Sequence, residues 1–187
     1  MKLSKTSIAI IIILFAAAAT AAIFFTLKPQ QEKPQRFSVE VPESRSLEKE
    51  AFIYFTNSDN SFLVPEKHLV MPGTNTRKYA QNLIKILING PENNSLQSPL
   101  PQGTKLLSLY ISSDNTAVLD FSEEIREKHP GGSQAEILTI YSIVNTLTLN
   151  IEEIDKVKIL ISGNEAETLA GHIALSFPLK ENLKIVK

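Results

Sequence analysis

NGPENNSLQSPLPQGTKLL, Asn89–Leu107, lies between two apolar segments and carries three prolines and two glycines. Its reading decides the fold, because it either binds a ligand or joins two structural elements. It ends in Gly103-Thr104-Lys105, which invites comparison with a phosphate loop. Such a loop needs a set upstream glycine spacing and opens a helix, so that successive backbone N–H groups can wrap a phosphate. Here the upstream glycine spacing is missing, and the next residues, TKLLSLYIS, read as a strand. The connecting role is the better reading. Gly90 can take a left-handed conformation and Pro91 cannot continue a helix, so together they end one. Pro99 and Pro101 stiffen the approach, and Gly103 turns the chain into that strand.

Upstream, TRKYAQNLIKILING (Thr76–Gly90) places Tyr79, Ala80, Leu83, Ile84 and Leu87 on one helical face. Asn75 or Thr76 can cap its start. Before it, AFIYFT (Ala51–Thr56) is aromatic and β-branched, and FLVPEKHLVM (Phe62–Met71) contains Pro65. A proline cannot donate to a ladder, so this second strand is expected at an edge or with a break. Downstream, Thr104–Ser112 and Thr116–Ser122 predict a hairpin around SDN, with Ala117, Leu119 and Phe121 on one face. GGSQAEILTIYSIVNTLTLN (Gly131–Asn150) predicts a second helix, with Ser133 and Glu136 as a capping box and Ile137, Ile140, Tyr141, Val144 and Leu147 as its buried stripe. VKILIS (Val157–Ser162) and GHIALSFPL (Gly171–Leu179) predict the last two strands. The expected class is α+β, in the order β-β-α-β-β-α-β-β, with two helices packed on a mixed or antiparallel sheet.

The N-terminus is of another character. Lys2 and Lys5 precede Ser7–Leu27, a stretch of 21 residues without a charge. As a helix it would span about 30 Å, the thickness of a bilayer core. A cleaved secretory signal is the competing reading, given AAAATAA, but IFFTL carries the apolar run past those alanines. The expectation is therefore an uncleaved single-pass anchor over residues 1–27, with the C-terminal domain outside the cytoplasm. Lys28–Glu50, with Pro29, Pro34 and Pro42, reads as a solvated linker. Within it FSVEV alternates, which leaves an edge strand as the alternative. The globular domain is expected over 51–187.

Composition excludes several chemistries. With 19 basic and 20 acidic residues, net charge −1, there is no electrostatic reason to expect nucleic acid. No cysteine is present, so disulfides, thiolate catalysis and lipid attachment to cysteine are excluded. His68, His129 and His172 show no clustered ligand spacing, so no metal or cofactor is expected. Gly131–Ala135 is not a nucleophile elbow, because Ala135 stands at the last position. DFSEE offers Asp120, Glu123 and Glu124, the acids on which an envelope hydrolase would depend if they converged in a cleft. Asn145, Thr146 and Thr148 are poor helix formers in an apolar helix. They are read as bonding the helix to neighbouring backbone.

Five blocks carry a family resemblance: LINGP (Leu87–Pro91), SPLPQGTKLLSL (Ser98–Leu109), AVLDFSEE (Ala117–Glu124), SIVNTLT (Ser142–Thr148) and VKILISG (Val157–Gly163). In this order they resemble the GerMN domain of sporulation and spore-germination proteins, over about Ala51–Leu179. The resemblance implies a compact α/β domain displayed outside the cytoplasmic membrane, without catalytic residues, serving envelope assembly. Gly90, Pro91, Pro101, Gly103, Asn145, Thr146 and Gly163 match its characteristic positions, and the resemblance implies that they are architectural. The proteins that gave the family its name carry the domain in tandem, whereas one copy fits here. The expected partners are envelope proteins or further copies of the chain, with peptidoglycan as a further candidate. An interaction role predicts an exposed edge strand or apolar patch.

Overall fold

The computed structural model describes residues 48–187. The anchor read at Ser7–Leu27, the linker up to residue 47 and the FSVEV strand lie outside the described residues. Lys49 and Glu50, assigned above to the linker, already belong to the first strand.

β1 (Lys49–Asn57) and β2 (Leu63–Val70) form an antiparallel hairpin. Its turn is held by Asn57, whose Oδ1 accepts from the N–H groups of Ser61 at 2.8 Å and Phe62 at 3.2 Å. Pro65 sits opposite Tyr54 in β2, which is the outer strand of the sheet β2-β1-β3. An edge is where a residue without N–H is tolerated.

α1 (Thr76–Asn89) starts at Asn75, whose Oδ1 accepts from Lys78 N at 2.8 Å, and ends at Gly90, whose N–H reaches Ile86 O. It buries Tyr79, Ala80, Leu83, Ile84 and Leu87, the face read from the sequence. Each fully buried Leu or Ile contributes about 1.5–3 kcal/mol relative to exposure.

The Asn89–Leu107 segment then runs as a connection. Within it β3 (Leu96–Gln97) pairs with Thr56 and Asn57 of β1, a short ladder not foreseen from the sequence. Leu100 is buried, and Thr104 folds back with its hydroxyl on Pro101 O at 2.7 Å. Gly103, at φ 89°, leads into β4 (Leu106–Ile111), as the connecting reading requires.

β4 and β5 (Thr116–Phe121) form the expected antiparallel hairpin, with a register shift between Leu106 and Ser108. A one-turn helix, α2 (Glu124–Glu127), precedes α3 (Ser133–Thr148). β6 (Lys156–Ile161) runs parallel to β5, and β7 (Asn164–Glu165) closes the second sheet, β4-β5-β6-β7. A short 3₁₀ turn at Leu183–Ile185 ends the chain.

Three expectations are corrected. Among the described residues there are two sheets rather than one, because β1 pairs with β2 and β3 and with none of the later strands. Gly171–Leu179 is not a strand. It makes single bridges, Val157 with Leu179 and Thr168 with Ala174, in an otherwise irregular segment. The stripe on α3 is broader than read: Leu138, Thr139, Ile140, Ser142, Ile143, Val144, Asn145, Thr146 and Leu147 are all buried, while Ile137 and Tyr141 are half-buried. The reason is position. α3 packs against both β1 and β6, and a helix enclosed on several sides loses the one-faced pattern. The main core lies around α1, α3 and β5–β6, and a smaller cluster of Tyr54, Leu63 and Leu138 gathers side chains on the other face of β1.

Candidate functional site

The residues singled out in the sequence are scattered over the domain. Asn145 is fully buried. Its Oδ1 accepts from Asn182 N at 2.9 Å, and its Nδ2 donates to Asn182 O at 3.1 Å. Thr146 Oγ1 accepts from Tyr54 N at 3.2 Å. Thr148 donates to Val144 O at 2.9 Å, within its own helix. Asn145 and Thr146 thus serve backbone of the C-terminal segment and of β1. Gly90 and Gly163 have φ of 92° and 77°, conformations that L side chains rarely adopt. Pro91 comes directly after the helix end, and Pro101 lines a cavity of about 330 Å³ with Gln97, Pro99 and Leu138.

The acids of the hydrolase reading are each engaged separately. Asp120 accepts from Gly163 N at 2.8 Å, tying β5 to the β6–β7 turn. Glu123 pairs with Arg126 at 3.5 Å. Glu124 is held below the usual carboxylate range first by the Ser122 hydroxyl, with Lys105 and Lys128 adding attraction. None of the three lines any of the four described cavities. The geometry therefore gives the hydrolase reading no support. Among the described residues no group of three or more His, Asp or Glu could hold a metal.

The capping box is a further correction. The helix N-cap is Gly132, at φ 83°, with no side-chain cap. Glu136 is instead wholly buried and receives the loop after β7. Its Oε1 accepts from Leu169 N at 3.0 Å and Ala170 N at 2.8 Å, and its Oε2 from His172 N at 2.8 Å and His172 Nδ1 at 3.0 Å. Burial pushes its pKa up, but the amides of Ala170, Ile173 and His172 and the His172 ring outweigh this, and the net shift is downward. A charged residue at the fourth position of an apolar helix was the available signal, and the capping motif concealed it.

His129 and Thr139 form a further unforeseen link. His129 Nδ1 accepts from Gly131 N at 3.0 Å, so Nε2 carries the proton and donates to Thr139 Oγ1 at 3.1 Å. Thr139 in turn donates to Pro99 O at 2.6 Å. The Asn89–Leu107 segment is thereby fastened to α3.

The strand edges decide what the domain offers to a partner. The side of β1 away from β2 is covered beyond its two-residue ladder with β3: Asn150 Oδ1 accepts from Phe52 N at 2.8 Å, its Nδ2 donates to Phe52 O at 2.7 Å, and Thr146 takes Tyr54 N. The outer edge of β2 is interrupted by Pro65, and Lys187 N donates to Leu63 O at 3.0 Å. β3 and β7 have two residues each. β4, with six, pairs on one side alone among the described residues. Leu107 and Tyr110 on it are 53 % and 52 % exposed. A second exposed apolar set, Phe52, Leu69 and Met71, lies on the hairpin.

The fold agrees with comparison to known proteins. The family model described as sporulation and spore germination (Germane) matches residues 52–167. The chain belongs to this family. The first GerMN domain of the sporulation protein GerM from Bacillus subtilis is 26 % identical, with a TM-score of 0.57 over 71 % of this chain and 97 % of that one. The tandem GerMN domains of the same protein share the fold, at 24 % identity and a TM-score of 0.56, over 71 % of this chain. The chain spans 46 % of that tandem structure. A Clostridium perfringens protein, classed provisionally as a lipoprotein, is 29 % identical, with a TM-score of 0.51 over 71 % of this chain and 87 % of that one. No match is found among curated proteins.

Proposed function

We propose that this chain is a membrane-anchored, non-catalytic interaction module of the bacterial cell envelope, with its GerMN domain outside the cytoplasm and a role in sporulation or germination. The observation that carries the reading is the open edge of β4, where exposed Leu107 and Tyr110 flank backbone groups that no other strand among the described residues takes. An unpaired six-residue edge is a template for a partner's strand, and folds without such a use generally blunt or cover it. Family membership supports the cellular setting. The uncharged Ser7–Leu27 stretch supports the anchor, and the structural relative classed provisionally as a lipoprotein is compatible with display at a membrane. The engagement of Asp120, Glu123 and Glu124 by the protein's own groups supports a role without catalysis.

The test is crosslinking in the native cell of the full-length protein carrying a C-terminal tag, followed by purification and mass spectrometry. The expected result is a small set of envelope proteins, or a ladder of crosslinked copies. Recovery of no specific protein through vegetative growth and sporulation would overturn the reading.

A further inference from the structure

The interaction reading leaves the partner's chemistry open, and the surroundings of β4 narrow it. α1 contacts β4, and two cavities in the seam between them join the start of α1 to the end of β4 and the end of α1 to the start of β4, so the two run in opposite directions. One, of about 380 Å³, is lined by Thr76, Arg77, Tyr110, Ile111 and Glu153 among others. The other, of about 330 Å³, is lined by Gln81, Lys85, Ile88, Thr104, Lys105 and Leu106. Arg77, Gln81, Lys85 and Ile88 succeed one another at four, four and three residues, so they line one face of the helix. The seam is therefore bounded by a strand edge on one side and a helix face on the other.

Its charge has one dominant sign. Arg77, Lys85 and Lys105 line it, against Glu153 alone. Arg77, Lys85 and Lys105 form no salt bridge among the described residues, although Lys105 attracts Glu124 nearby. Arg77 and Lys85 are eight residues apart, about 12 Å along a helix. In an extended chain, residues i and i+4 point to the same side about 13 Å apart. The two spacings match.

The backbone supplies the second half of the recognition. Ser112 N donates to Thr116 O at 3.0 Å, toward β5. Donor direction alternates along a strand, so Ile111 and Leu109 turn their N–H groups outward. We propose that the seam between α1 and β4 binds an extended acidic polypeptide segment of a partner protein, added to β4 as a fifth strand. Five or six residues cover the strand, and acids at i and i+4 of the segment meet Arg77 and Lys85. A second copy meeting this one edge to edge would bring cations against cations, which disfavours self-pairing here.

This assignment rests on the interaction reading above but has its own test. The detergent-solubilised full chain is titrated with fluorescein-labelled Glu-Val-Thr-Val-Glu-Val and followed by anisotropy and by amide NMR shifts. Three further probes are the same peptide with alternate amides N-methylated, its lysine counterpart, and inorganic polyphosphate. Saturable binding that shifts the Leu109 and Ile111 amides is expected, with the N-methylated and lysine peptides at least about tenfold weaker. Arg77→Glu/Lys85→Glu should weaken binding about tenfold or more, a surface change that leaves the fold intact. Ile111→Pro removes one outward donor and should cost about fivefold; a thermal melt checks that it folds. Equal binding of the lysine or N-methylated peptide, or absence of binding, would overturn the assignment. So would tighter binding of polyphosphate with unchanged β4 amides, which would mark a polyanion site. If these assays fail while envelope proteins are still crosslinked in cells, the groove assignment falls and the interaction reading stands.

Discussion

Asn150 clasps both backbone polar groups of Phe52, accepting its N–H at 2.8 Å and donating to its C=O at 2.7 Å. The same amide donates to Thr146 O at 2.8 Å, so one side chain ends α3 and covers the edge of β1 together. A strand partner would make the same two bonds to Phe52. The domain therefore closes one edge with a helix end and leaves β4 open.

Asn150→Ala removes these bonds and leaves Phe52 to water. The expected loss is about 2 kcal/mol, since each net hydrogen bond is worth about 0.5–1.5 kcal/mol. For a domain of this size that lowers Tm by roughly 4–8 °C. Hydrogen exchange should quicken at Phe52. An unchanged melt would show that the edge is held by Thr146 alone.

Glu136→Gln tests the buried carboxylate. Four donors face it, and a neutral amide offers one acceptor oxygen and two donors in their place. The expected cost is about 1–3 kcal/mol at neutral pH, with faster exchange at Leu169, Ala170 and His172.

The same residue sets an acid dependence. Its folded pKa lies below the ordinary carboxylate value of 4.5. A depressed folded pKa contributes stability that is present above the unfolded pKa and lost as pH falls through the folded one. Wild type should thus lose stability below about pH 4.5 more steeply than Glu136→Gln, as followed by urea midpoints across pH. Parallel curves would show that the carboxylate is indifferent to its charge.

Much of this fold is legible locally, and the parts that are not share one cause. α1 is readable because its buried face, its Asn75 cap and its Gly90 stop all lie within fifteen residues of one another. The β4–β5 hairpin is readable for the same reason. The role of Glu136 is not, because its donors come from Leu169, Ala170 and His172, more than thirty residues away. The local Ser133–Glu136 spacing imitates a capping box, but Gly132 at φ 83° takes the cap position. Gly171–Leu179 alternates like a strand, yet the buried Lys158 holds it otherwise, donating to Leu175 O at 3.0 Å and Ser176 O at 2.7 Å. The seam beside β4 is equally hidden, since periodicity places Arg77 and Lys85 on a helix but cannot say which strand runs beside it.

Thr139→Val probes how the Asn89–Leu107 segment is fastened. Valine keeps the shape but cannot donate to Pro99 O or accept from His129. Both partners are then left without their bond, at about 1–3 kcal/mol in total. Thr139→Ser keeps the hydroxyl and should cost less than half of that. Equal melting of the two variants would exclude the hydroxyl as the fastening.

Gly90→Ala separates conformation from contact. Gly90 has φ 92° and ψ 173°, a region almost confined to glycine. A Cβ built there would meet Ser98 Cβ at 3.9 Å, an ordinary contact, so steric clash is not the cost. The strain is expected to be about 1–3 kcal/mol. Because the helix stop and the entry into the Asn89–Leu107 segment share this residue, the effect should show as faster exchange at the Gly90 amide, whose N–H bonds Ile86 O at 3.2 Å. Gly131→Ala is the control: its φ of 82° is also positive, with nothing within 4 Å of the built Cβ, but it ends no helix. If both alanines cost the same and neither quickens exchange at Gly90, the penalty is strain alone. If only Gly90→Ala does, the glycine is what halts α1 and lets the connection begin.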